Sequence, residues 1–87
     1  MRPSTNQKLI EALAVEMKVR RQQLEISQEE LALRIDIDRP YLSLIEVGRK
    51  QPTLSVLLRL AEGLELSLGT FLARVERRYR RSANAPG

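Results

Sequence analysis

Two carboxylates, Asp36 and Asp38, stand one residue apart, close enough to raise the question of paired acid–base chemistry. The local pattern argues against it. Asp36 reads as a turn residue and Asp38 as a helix cap, so each carboxyl has a structural role in place of a catalytic one. The 87-residue chain has no His and no Cys, which removes the usual general base, the commonest metal ligand, any thiol nucleophile and any disulfide framework. Its aromatics are Tyr41, Phe71 and Tyr79, too few for a stacking platform along single-stranded nucleic acid. The expectation is a binding protein rather than an enzyme, with no cofactor and no metal.

The remaining chemistry is cationic, and it is unevenly placed. Lys and Arg number 15 against 11 Asp and Glu, a net charge of +4. Residues 1–73 are balanced, and the excess comes from Arg74, Arg77, Arg78, Arg80 and Arg81 with Glu76 as the one acid among them. Two readings fit that segment. It is a solubilising helix end whose cations favour the negative pole of the dipole, or it is a phosphate-contacting arm. No apolar run reaches the roughly 20 residues that cross a bilayer, and Met1-Arg2-Pro3-Ser4 lacks the apolar stretch of a secretory signal. A cytoplasmic chain with no membrane partner is expected.

Positioning these groups falls to helices. Pro and Gly are sparse, the segments between them repeat apolar residues at helical spacing, and strand alternation and Asn-Gly or Asp-Gly hairpin signals are missing. The pattern predicts helices over about 5–24, 28–35, 39–47, 54–64 and 68–80, in a domain spanning 5–75, with a disordered tail at 82–87. Ser4, Ser27, Asp38, Thr53 and Ser67 are the expected N-caps; Ser4 with Gln7 and Ser27 with Glu30 have capping-box spacing. Pro40 belongs in a first turn, and Gly48 is placed to end the third helix in a left-handed conformation. Two short helices joined by a turn of about three residues cannot bury their apolar faces alone, so the other three must cover them.

Ser27-Gln28-Glu29-Glu30-Leu31-Ala32, then Asp38 through Arg49, then Pro52-Thr53-Leu54 and Leu57-Leu58-Arg59-Leu60-Ala61, resembles the phage repressor and Cro-like helix-turn-helix family, the Xre family. The likeness covers roughly residues 9–73 and extends to the small controller proteins of restriction–modification systems. It implies an all-α, five-helix lambda-repressor-like domain acting as a sequence-specific transcriptional regulator, a repressor among the roles open to it. The third helix would enter the DNA major groove while the second crosses the phosphate backbone.

Carried onto this chain, the resemblance gives base readout to Arg39, Pro40 and Leu44, with Ser43 on the adjoining face. Arg39 has the fork that engages guanine O6 and N7 together, worth about 1–3 kcal/mol of discrimination. Its alternative is a solvated residue paired with Asp36. Pro40 and Leu44 depart from the polar residues often found there and offer contact with a thymine methyl. Backbone contacts fall to Gln28, Tyr41, Arg49, Lys50 and Arg34; for Gln28 the amide contact is to a phosphate or a base, and a plain helix-start residue is the alternative. Ring packing for Tyr41 and plain solvation for the charges stay open.

One helix in one groove reads too few base pairs to select a site, so a homodimer on a near-palindromic operator is expected, with half-sites about 34 Å apart or a multiple of it. Leu66, Leu68, Phe71, Leu72 and Val75 are the expected dimer surface, with completion of the core as the other reading. The resemblance also implies a partly buried Arg21–Glu46 ion pair, and Glu25 and Asp36 stand where the family often has Gly. The alternative function is an antitoxin-type module whose basic C-terminus grips a partner toxin. RNA polymerase is a further partner open to a regulator, and the nucleoid is the expected location.

Overall fold

Polar caps decide where the helices begin. In the computed structural model, which describes residues 5–83, α1 (Gln7–Gln23) starts at Asn6, whose side chain accepts from the Leu9 N–H at 3.1 Å. The cap predicted at Ser4 lies outside the described residues, and the helix opens two residues later than expected. Ser27 Oγ accepts from the Glu30 N–H at 3.0 Å to start α2 (Gln28–Ile35). Thr53 Oγ1 accepts from Val56 at 3.2 Å ahead of α4 (Leu54–Gly63), and Ser67 Oγ accepts from Thr70 at 3.1 Å at the start of α5 (Leu68–Ala83). Between α2 and α4 lies α3 (Arg39–Glu46), and here the expected cap differs. Asp38 holds the N-cap position without a side-chain bond to the first turn. A capping side chain reaches the second or third helical N–H; Pro40 removes the second, and the Tyr41 N–H at the third receives no bond from Asp38.

Left-handed residues end the first four helices. Gly48 does so after α3 at φ +77°, with the Arg49 N–H returning to the Leu44 carbonyl at 2.9 Å. Three further ends use residues with side chains: Glu25 at φ +57°, Asp36 at +54° and Glu65 at +62°. In each case the following N–H reaches back five residues, Ile26 to Arg21, Ile37 to Ala32 and Leu66 to Ala61. These bonds satisfy orphan helix carbonyls and offset the roughly 1–2 kcal/mol a Cβ costs in this region.

The core lies where the five helices meet. Met17, Leu31, Leu42, Ile45, Leu60, Leu64 and Phe71 are completely enclosed. α3 packs on α1 and α2, α4 covers α2, and α5 lies along α1 and against α4. α1 and α5 run antiparallel: Asn6 meets Tyr79, Glu16 meets Arg74 and Arg78, and Gln23 meets Arg74. The end of α4 comes so close to α2 that a Cβ on Gly63 would lie 2.4 Å from Ile35 Cγ2. Phe71 and Val75, expected at a dimer surface, are 0% and 3% exposed. They are core residues, because α5 turns this stripe onto α1 and α4 of its own chain. α5 also runs to Ala83, so Ser82 and Ala83 are helical rather than tail, and residues 84–87 lie outside the described residues. No helix among the described residues is long and apolar enough to cross a membrane.

Candidate nucleic-acid interface

α3 is anchored from below and free above. Leu42 and Ile45 are fully buried, and the ring of Tyr41 packs half-buried against the same core. Glu46 is held at its last turn by Arg21, with Nη2–Oε1 at 2.6 Å and Nε–Oε2 at 3.1 Å, while Arg21 Nη1 donates to the Ile26 carbonyl at 2.9 Å. The helix is thus fixed to α1 and to the loop before α2. On its opposite face Arg39, Pro40, Leu44 and Val47 are exposed, Leu44 at 42% and Val47 at 62%.

The guanidinium of Arg39 makes no ion pair or hydrogen bond among the described residues, and Asp36 does not hold it. Ser43 is different. It is half-buried on the side of α3 that faces α2, and its hydroxyl donates to Gln28 Oε1 at 2.8 Å. Gln28, the first residue of α2, is therefore oriented by a side chain of α3. Past the end of α3, Arg49 and Lys50 are exposed on a loop pinned at Gly48, whose carbonyl accepts from Gln7 Nε2 at 3.0 Å. Lys50 Nζ lies 6.0 Å from the centre of the Tyr41 ring, at the outer edge of cation–π range.

Arg34 does not join this surface. Its guanidinium donates to the Gly63 carbonyl at 3.1 Å and pairs with Glu65 at 3.1 Å and Glu30 at 3.0 Å. It ties α2 to the end of α4, because the sharp reversal at Glu65 brings that carboxylate and the helix-end carbonyl to it. The basic C-terminal segment is also partly consumed inside the molecule. Arg74 Nε and Arg78 Nε bond the two oxygens of Glu16 at 2.7 Å and 2.8 Å, and Glu16 is only 4% exposed. Burial pushes the Glu16 carboxyl up, and the hydrogen bonds and charges of Arg74 and Arg78 outweigh it, leaving the group below its ordinary value. Arg80 reaches Glu76 at 3.5 Å, an exposed pair. Sequence reasoning missed Glu16. The usable signal was its place beside Ile10, Leu13 and Met17 on α1, where an unpartnered acid is costly.

Apolar surface outside α3 is exposed at Leu54 (70%) and Leu58 (44%) on α4, and also at Leu9 and Val15 on α1 and Leu33 on α2. Leu66, Leu68 and Leu72 are half-buried.

Comparison with known proteins places this geometry. The family described as Helix-turn-helix matches residues 17–71. Control protein C.MunI from a Mycoplasma species is 35% identical over 60 residues, covering 69% of this chain and 81% of that protein. The clp gene regulator ClgR from Corynebacterium glutamicum superposes with a TM-score of 0.81 at 26% identity, over 93% of this chain and 84% of that one. The restriction–modification controller protein C.Esp1396I, as a tetramer in complex with its natural 35 base-pair operator, gives a TM-score of 0.77 at 28% identity, over 83% and 95% of the two chains. The same protein bound to a 19 base pair DNA duplex gives 0.75 at 28% identity, over 80% and 93%.

Proposed function

The chain belongs to the helix-turn-helix family, and we propose that it is a sequence-specific regulator of transcription that binds double-stranded DNA as a homodimer. α3 enters the major groove with Arg39 leading, and Pro40 and Leu44 meet apolar base edges beside it. Gln28, Arg49, Lys50 and the Tyr41 hydroxyl take phosphates on either side. Contacts of the second kind set register and affinity, and contacts of the first kind set sequence. The observation that carries the reading is the two-sidedness of α3: its inner residues are locked to the core and to Arg21, while Arg39 stands exposed at its start, unpaired among the described residues. The relatives C.MunI and C.Esp1396I are controller proteins by name, and C.Esp1396I is held on operator DNA as a tetramer. That supports the same class of work here, in the cytoplasm and on the nucleoid.

Dimerisation uses the exposed Leu54 and Leu58 of α4 with the half-buried Leu68 and Leu72 of α5 and Leu66 between the helices. Two copies of α3 then read the two halves of a near-palindrome. The test is selection of duplexes from a random pool at fixed salt, followed by binding of the winner to wild type and Arg39→Ala. A bidentate guanine contact predicts that Arg39→Ala loses discrimination by about 1–3 kcal/mol at one base pair in each half-site. Equal loss on all sequences would place Arg39 on the backbone instead.

A further inference from the structure

Ser43 lies on the recognition helix, yet its hydroxyl proton is directed at Gln28 Oε1, 2.8 Å away, in a half-buried contact between α3 and α2. We infer that Ser43 is a positioning residue for Gln28, holding its amide at the start of α2 where it faces the DNA, and is not itself a reader of bases. The inference rests on the DNA-binding reading given above.

The chemistry is that of a two-ended group. A glutamine amide carries an acceptor oxygen and a two-proton donor nitrogen, and a half-turn about its last torsion exchanges them. Beside a phosphate the exchange matters. Outward Nε2 donates to the anion, while outward Oε1 sets one acceptor against another. Gln28 is the first residue of α2, where the helix dipole already favours an anion. With the Ser43 hydroxyl donating to Oε1, both protons on Nε2 remain for a phosphate. The Ser43 hydroxyl has one proton, and that proton is used. The neighbouring exposed side chains, Arg39 one turn before Ser43 and unpaired among the described residues, and Leu44 one residue after it, are left to face the bases. The contact also links the two helices of the motif, so the backbone clamp on α2 and the reader on α3 move as one unit.

The experiment uses the duplex selected by the wild-type protein and an unrelated duplex of equal length, at one salt concentration, with Ser43→Ala, Gln28→Ala, the double variant and Ser43→Thr. Ala favours the helix more than Ser, so the fold tolerates the first change. The expected result is a loss of about two- to tenfold for Ser43→Ala on both duplexes alike, the range of one net hydrogen bond. The double variant then binds no worse than Gln28→Ala alone, and Ser43→Thr, which keeps the hydroxyl, binds within about twofold of wild type. A loss confined to one base pair, or additive losses in the double variant, overturns the inference while leaving the DNA-binding reading intact. Failure of the wild-type protein to enrich any duplex overturns both.

Discussion

The guanidinium of Arg21 closes on the carboxylate of Glu46 through two bonds of 2.6 Å and 3.1 Å, joining the C-terminal half of α1 to the last turn of α3. The Glu46 side chain is 1% exposed, so its charge has no solvent to fall back on. Removing Arg21 leaves the Glu46 carboxylate desolvated and alone, at about 3–5 kcal/mol, and removing Glu46 leaves Arg21 with only its bond to the Ile26 carbonyl. Glu46→Ala is therefore expected to lose about 1.5–3 kcal/mol in chemical denaturation, less than Arg21→Ala. Exposed Glu29→Ala should stay within about 0.5 kcal/mol of wild type. Similar midpoints for the two variants would count against the pair.

Glu16 gives the molecule an acid-sensitive joint. Burial raises its carboxyl and the Arg74 and Arg78 contacts lower it further than burial raises it, so the folded group stays below the ordinary value of 4.5. The unfolded chain then takes up a proton before the folded one does on acidification. The stabilisation is complete above about pH 4.5 and disappears as pH falls through the lower folded value. Glu16→Gln should cost about 1.5–3 kcal/mol at neutral pH, the range for hydrogen bonds to charged groups. It should also flatten the acid limb of the stability–pH curve. An acid limb unchanged from wild type would mean that other carboxyls carry it.

Salt dependence separates the clamps from the internally paired cations. Taking away a single cation that neutralises a phosphate should reduce the slope of log affinity against log salt by about 0.9. Arg49→Ala and Lys50→Ala are each expected to do this without changing sequence preference. Arg78→Ala is expected to act first on melting temperature, because Arg78 is bonded to Glu16. Normal stability with a reduced salt slope for Arg78→Ala would show that the arginine also serves DNA.

The uncovered leucines predict the oligomer. Leu54→Asp with Leu58→Asp puts two charges on surface that is already exposed, so the monomer fold should be retained and the dimer abolished. Sedimentation should report a monomer with wild-type helicity. Phe71→Ala, by contrast, empties a closed core position and should cost about 3–5 kcal/mol. A double variant that remains dimeric would move the interface elsewhere.

Glu25 carries a side chain at φ +57°, where a Cβ is unfavourable. Glu25→Gly removes that strain and adds some unfolded-state entropy, for a net gain of about 0.5–1 kcal/mol in stability, read from the denaturation midpoint. A loss of stability would show that the Glu25 side chain contributes more to this turn than its backbone strain costs.

The sequence alone determined the number of helices, most of their caps and the residues at the front of α3, because these are local matters. A Ser or Thr before an apolar stripe needs no distant partner to start a helix, and the Gly48 ending is written in three or four adjacent residues. Exposure of Arg39 also followed from its place at a helix start. Tertiary structure decided what distant residues do to one another. It enclosed Phe71 and Val75, turned Arg34 onto Gly63 and Glu65, set Ser43 against Gln28, and drew Arg74 and Arg78 across to Glu16. A charged side chain reads the same in sequence whether it meets water, a phosphate or a carboxylate 58 residues away. Only the packing of α5 along α1 settles which, since burial makes an unpaired charge too costly to keep.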